Sequence, residues 1–341
     1  MYNKILLVEL AGIGDAVLSS PAIKSLKDNY PSSSVHFLTF AGPADLIRKS
    51  PYIESVFIFR KGVKGILNNI FVLIKLKRLR IDLAINLKHH YRMIGVLKMY
   101  FLLRFINPKK TVGRNTNGKA DFYDIKVKDE IDSERHDVEY KLDLLRALGC
   151  EIKDKRLQVW FEDSEAKEVG VFLKKNFVSD LDFLIGINPV GYRPTRRWDW
   201  KKFAEVGKIL SNRYKAKVII TGAKNDRWLT ERISHSIFPK PLDSSGRLSL
   251  TQLPALIKRC KIYITNDTGS MHIANALETP LVAIMGPGTM KLAPYQRENC
   301  IIIRKEVECS PCYKFRCRNM SCLDIISVDD VIQAAAVLLK S

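Results

Sequence analysis

The stretch KILLVELAGIGD, residues 4–15, decides how the chain is read. Lys4 to Leu10 is an apolar run of strand length, and Ala11-Gly12-Ile13-Gly14-Asp15 is a small-residue turn. From Ala16 to Asn29, Val17, Ile23 and Leu26 recur at helical spacing, and Val35 to Phe40 is the next strand-like run. Strand, crossover helix, strand is the unit of a parallel sheet, because parallel neighbours need a long connection between them.

Working outward, Val56 to Phe59 and Leu83 to Asn86 read as further strands, and Ile66 to Leu79 and Tyr91 to Ile106 as apolar-basic helices. His136 to Leu148 is a helix that Gly149 can close. The polar stretch Asp163 to Asp182 holds one more helix and then a break. Beyond it the pattern restarts. Strands are expected at Phe183 to Asn188, Lys217 to Thr221, Ile262 to Thr265 and Leu281 to Met285. Helices are expected at Trp200 to Tyr214, Leu250 to Arg259, Ser270 to Leu277 and Val328 to Lys340, the last capped by Ser327 with Asp330 three residues on. The expectation is an α/β protein of two Rossmann-like domains, 1–172 and 173–341, facing a central cleft, with the terminal helix able to pack back on the first domain.

Composition narrows the function. The chain has 341 residues, 46% hydrophobic and 27% charged, an ordinary globular balance for about two domains. No apolar run reaches membrane-span length and the N-terminus has no signal-peptide pattern, so a cytoplasmic location is expected. The formal net charge of +20 is uneven: Arg60 to Lys119 holds fifteen Lys or Arg and one acid, Asp82, a net +14. Such a block fits an anionic partner, or a solvated basic face. A specific nucleic-acid partner is disfavoured, because the block is interleaved with aliphatics rather than stacking aromatics and no binding motif is present. A nicotinamide enzyme is disfavoured too. Gly12-x-Gly14 is followed by Val17 where a third glycine is required, and Phe40-Ala41-Gly42 stands where the ribose-binding acid belongs.

Three loops carry candidate chemistry. Asn266-Asp267-Thr268-Gly269-Ser270-Met271-His272 runs from a strand into a helix, whose free N-terminal amides suit an anion; it also fits a capped helix start with no ligand. Asp267 is out of place beside a phosphate unless it caps the helix or binds a hydroxyl. The loop after Asn188 holds Arg193, Arg196 and Arg197, whose guanidinium forks suit a diphosphate; it also fits a basic surface loop with Trp198 as a buried anchor. Asp15, at a strand-to-helix turn, suits a general base or a helix cap. Separately, Cys309, Cys312, Cys317 and Cys322 could hold a structural zinc or iron, stay as reduced thiols, or form a regulatory disulfide.

Gly14-Asp15 with Pro21, Arg196-Arg197-Trp198, Thr221-Gly222-Ala223, Asn266 to Ala274, Pro280 and Gly286-Pro287 occur in the order seen in bacterial ADP-heptose:lipopolysaccharide heptosyltransferases. The chain resembles that family over nearly its whole length, with Asn266 to Ala274 the specific part. The resemblance implies a GT-B fold, with acceptor in the first domain and nucleotide-sugar donor in the second. It implies inverting transfer of heptose to a lipopolysaccharide inner-core acceptor, with Asp15 and Arg196 catalytic. Donor-binding residues would be Asn188, Arg197, Lys224, Asp267, Thr268, Gly269, Ser270 and His272. Family members can carry an acid where this chain has Lys224, and usually a lysine at Arg196. Gly14, Arg60, Lys61, Lys64 and Arg92 are the candidates for an anionic, lipid-linked glycan at the cytoplasmic surface of the inner membrane. No cofactor is required. The alternative is a GT-B enzyme using a UDP- or GDP-hexose.

Overall fold

The computed structural model describes residues 2–90, 92–129, 135–312 and 314–340. The chain forms two compact units, Met1–Trp160 and Phe161–Ser341. The first contains β1 (Lys4–Glu9), α1 (Ile13–Leu18), α2 (Ser20–Asn29), β2 (Ser34–Phe40), α3 (Ala41–Arg48), β3 (Ser55–Phe59), α4 (Ile66–Arg78), β4 (Leu83–Asn86), α5 (Met93–Ile106), β5 (Lys110–Thr116), β6 (Ile125–Asp129) and α6 (Asp137–Arg146). The second contains α7 (Asp163–Lys175), β7 (Leu184–Asn188), α8 (Trp200–Tyr214), β8 (Lys217–Ile220), α9 (Arg227–Ser234), β9 (Leu242–Asp243), α10 (Leu253–Arg259), β10 (Ile262–Asn266), α11 (Gly269–Ala276), β11 (Leu281–Ile284), β12 (Cys300–Ile303), α12 (Ser321–Asp324) and α13 (Val328–Leu338).

Each unit is built on one six-stranded sheet, ordered β3-β2-β1-β4-β5-β6 in the first and β12-β11-β10-β7-β8-β9 in the second. Every pairing is parallel. Counted from its own first strand, each sheet has the doubly wound order 3-2-1-4-5-6. Strand order reverses between β1 and β4, and between β7 and β10. Crevices at such reversals, outside the carboxyl ends of the strands, are where open α/β sheets take ligands.

The central strands are apolar because helices cover both faces of a parallel sheet. In β1, Ile5, Leu6, Leu7 and Val8 are all buried; β7 and β10 are buried along their whole length. Gly186 in β7 is required by a neighbour: a Cβ there would stand 2.4 Å from the Tyr263 ring.

The expected single helix over Ala16 to Asn29 is two helices. Pro21 has no N–H for the Val17 carbonyl, so the ladder breaks there. The Ser20 hydroxyl donates to that carbonyl instead, at 2.6 Å. The unit boundary also differs from 172/173. Helix α7 packs on α10 and buries Val169 and Leu173 within the second unit. The terminal helix α13 packs on α8, β11 and β12 of its own unit, its Val331, Ala335 and Leu338 entering that core. The helix expected from Tyr91 begins at Met93, and position 91 itself lies outside the described residues.

Candidate functional site

In the second unit the carboxyl ends of β7, β8, β10 and β11 carry the residues singled out in the sequence. Asn266, the fully buried last residue of β10, acts as a staple. Its side-chain N–H groups donate to the carbonyls of Pro189 (2.8 Å) and Val190 (3.3 Å), and its Oδ1 accepts the Trp198 backbone N–H (3.1 Å). The arginine loop is therefore fixed to the strand that launches α11. Trp198 anchors the other end of that loop. Its ring is buried edge-on against Phe203, and its indole N–H donates to the Ile326 carbonyl.

The amides at the start of α11 take no side-chain cap, since Thr268 at the N-cap position makes no capping hydrogen bond. Such a helix start keeps N–H groups and partial positive charge for an anion. Arg196 pairs with Asp267 beside it (Nη1 to Oδ2, 3.0 Å), and the carboxylate is only 5% exposed. Asp267, which the sequence left to a cap or a hydroxyl contact, holds the guanidinium at the loop. Gly288, after β11, leaves room for that pair, because a Cβ there would lie 2.4 Å from Asp267 Oδ2. Arg197 is held separately, donating through Nε to the Gly191 carbonyl at 2.8 Å.

Ser270 and His272 are less open than expected. The Ser270 hydroxyl is bonded to those of Thr268 (2.9 Å) and Thr265 (3.3 Å), and His272 is buried in α11. Asn188 lies beneath the loop, bonded to Thr221 at 3.1 Å, and Thr221 to the Tyr263 hydroxyl at 2.6 Å. Burial pushes the Tyr263 phenol up to about 12, so it stays neutral in that chain. Lys224 is exposed after β8, and Asp226 in the same short turn lies 3.9 Å from Arg197.

The cysteine segment packs against this loop system. The Cys312 amide donates to the Pro287 carbonyl (2.9 Å), and the Thr195 hydroxyl to the Lys314 carbonyl (2.8 Å). All four thiols are free, and among the described residues no group of three or more His, Cys, Asp or Glu is arranged to hold a metal. Burial, then the three neighbouring thiols, pushes the Cys322 thiol up.

In the first unit Asp15 lies in the first turn of α1, just past β1. Its Oδ2 accepts the Gly12 N–H at 3.0 Å. Beneath it is a buried ion cluster. Lys141, 1% exposed, donates to Glu9 (2.6 Å), to the Ser19 hydroxyl (2.8 Å) and to the Asp15 carbonyl (3.0 Å). Asp137 lies 3.4 Å from Lys141 and accepts from Arg114 at 2.8 Å. Gly14 shares α1, Arg60 and Lys61 follow β3, Lys64 sits in the turn Val63–Gly65, and Arg92 is the N-cap of α5. All leave the carboxyl end of one sheet, although β3 is its edge strand, two strands from β1. Lys61 rests 4.5 Å over the Phe40 ring.

Residues 74–322 match the model of glycosyltransferase family 9 (heptosyltransferase). The chain belongs to that family. It is 26% identical over 343 residues to lipopolysaccharide heptosyltransferase 3 of Escherichia coli, covering 96% of this chain and 97% of that protein. Among solved structures, a family 9 glycosyl transferase from Veillonella parvula superposes with a TM-score of 0.83 at 23% identity, covering 99% of this chain and 97% of that one. The E. coli ADP-heptose lps heptosyltransferase II gives 0.78 at 22%, covering 99% and 98%. This family 9 glycosyltransferase thus has the GT-B pattern of two Rossmann-like units.

Sequence reading missed two features of the family 9 chain. One is the Glu9–Lys141–Asp137–Arg114 cluster, whose members lie far apart in sequence. The other is His90, just past β4, whose buried Nε2 has no hydrogen-bond partner among the described residues. Burial, with the nearby cations, holds His90 down at about 4, so it is neutral near pH 7. Its signal was positional: it follows the strand across the reversal from β1.

Proposed function

We propose that this glycosyltransferase moves heptose from ADP-heptose to an inner-core lipopolysaccharide acceptor, with inversion, at the cytoplasmic surface of the inner membrane. The observation that carries the donor half is the uncapped start of α11 beside the Arg196–Asp267 pair, at the strand-order reversal of the second unit. The relatives named for lipopolysaccharide and ADP-heptose support the substrate classes. Thr268 and Gly269 amides, Arg196 and Arg197 face the donor diphosphate; Asn188 and Asn266 hold the strand ends beneath them. Asp15 takes the proton from the attacking acceptor hydroxyl. Charge builds on the departing diphosphate, where fixed donors stabilise it most.

Arg196→Ala should lower turnover by about 10²–10³-fold, the usual cost of removing one preorganised donor from a developing anion. Arg196→Lys should recover part of it, because the charge returns without the fork. Steady-state kinetics read this, and wild-type turnover in the alanine variant would remove Arg196 from the site.

Lys224, where relatives can carry an acid, favours one second reading: a different nucleotide in the same cradle. Asp226, two residues on, places a carboxylate in the same turn and argues for ADP-heptose. A panel of ADP-heptose, UDP-sugars and GDP-sugars with a core acceptor decides. Nucleotide release is expected with ADP-heptose; release only with a UDP- or GDP-hexose would replace the reading.

A further inference from the structure

Two helices of the first unit are apolar on the side that faces solvent. Among the described residues 22 large hydrophobics are exposed, and twelve of them lie between Val63 and Phe105. In α4, Val72 and Leu76 enter the core while Leu67, Ile70 and Phe71 point outward. In α5, Val96, Met99 and Leu103 are buried while Leu97, Phe101 and Phe105 are exposed. Leu67 is 82% exposed and Phe101 65%. A helix apolar on both sides requires something to cover the outer one.

The two helices form a continuous face. They pack on each other, and Lys77 of α4 lies 4.9 Å over the Phe105 ring of α5. Exposed cations flank the apolar side chains: Lys64, Lys75, Lys98 and Arg104. The one acid between Arg60 and Lys119, Asp82, is already bound to Lys109 at 2.8 Å and to the Asn3 and Lys4 amides. Exposed cations set among solvent-facing apolar side chains are the arrangement of a surface lying at a headgroup boundary. Neither helix spans a bilayer, at 13 and 14 residues.

We infer that the outer face of α4 and α5 is a docking surface for an anionic lipid bilayer, with Leu67, Phe71, Leu97 and Phe101 entering the interface and the flanking cations meeting lipid phosphates. A second copy of the chain is the wrong occupant, because face-to-face pairing would bring two segments of net +14 together, whereas an anionic bilayer supplies the missing negative charge. The inference rests on the reading of a lipid-linked acceptor. A binding assay without donor or acceptor lets the two fail separately.

The test is flotation of the full chain with phosphatidylethanolamine–phosphatidylglycerol vesicles against phosphatidylcholine vesicles. Binding is expected to the anionic set, reduced but not abolished by salt, since screening acts on the charges and not on the inserted side chains. The double variant Leu67→Asp with Phe101→Asp should lose about tenfold or more of that binding. Leu67→Ala with Phe101→Ala should fall between it and wild type. Turnover on a delipidated acceptor should be unchanged in both, which excludes misfolding as the cause. Three outcomes overturn the inference: no vesicle binding by active protein, binding insensitive to both variants, or a wild-type dimer that the aspartates split into monomers.

Discussion

Asp15→Asn is expected to lower turnover by about 10²–10⁴-fold, the range for removing a positioned general base, while ADP-heptose affinity stays within about twofold. Asparagine is the sharper replacement because of what else Asp15 does. Its Oδ2 accepts the Gly12 N–H at 3.0 Å, so Asp15→Ala removes a cap as well as a base and should cost about 0.5–2 kcal/mol of stability. Asparagine keeps an oxygen for that amide and loses only basicity. Equal kinetic defects in the two variants, with destabilisation in alanine alone, assign the defect to proton transfer. If asparagine turns over like wild type, Asp15 is a cap and the base lies elsewhere. If donor affinity falls in step with turnover, the residue serves binding.

The sequence carried the fold well where the elements are strongly patterned. β1, β7 and β10 read as strands because parallel strands covered on both faces are continuously apolar. It carried β5 and β6 poorly: Lys110–Thr116 and Ile125–Asp129 are polar edge-side strands, and the charges of β5 were absorbed into the basic block. β9 was missed because two residues leave no period to detect. In the site, Arg196 and Asp267 were each visible, but not their partnership, since 71 positions separate them and only the fold brings them to 3.0 Å. Asn266 gave the same lesson in reverse. It stood inside the most specific motif, yet its side chain serves the loop and not a ligand. The apolar-basic character of α4 and α5 was legible, but which residues face outward was not, because both sides of each helix are hydrophobic.

Lys141→Met should destabilise the first unit by about 3–5 kcal/mol, because it leaves Glu9 buried, 2% exposed, without its cation. The main thermal transition of the full chain should fall by roughly 10 °C. The double variant Lys141→Met with Glu9→Gln should recover most of the loss, since a neutral pair removes the stranded charge. The pH dependence gives a second readout. Burial depresses the Lys141 ammonium, but Glu9, Asp137 and Asp15 outweigh it and leave it raised, so it stays charged over the whole working range. Burial also pushes the Glu9 carboxyl up, against the pull of Lys141. A carboxyl raised in the folded state costs stability as pH rises through its folded value. Without Lys141 that value rises further, so the variant's deficit should be largest near neutral pH and should shrink as acid protonates Glu9. Asp137 acts in the opposite sense. Burial pushes it up, yet Arg114 and Lys141 hold it well below the carboxylate range, so its contribution is complete above about pH 4 and is lost as pH falls further. A pH-independent deficit would mean that Lys141 stabilises by packing and not by charge. Because Lys141 also donates to the Asp15 carbonyl and the Ser19 hydroxyl, the same variant should lower kcat with little change in donor KM at temperatures where it stays folded. Loss of stability with kcat intact would separate the buried cluster from the positioning of α1.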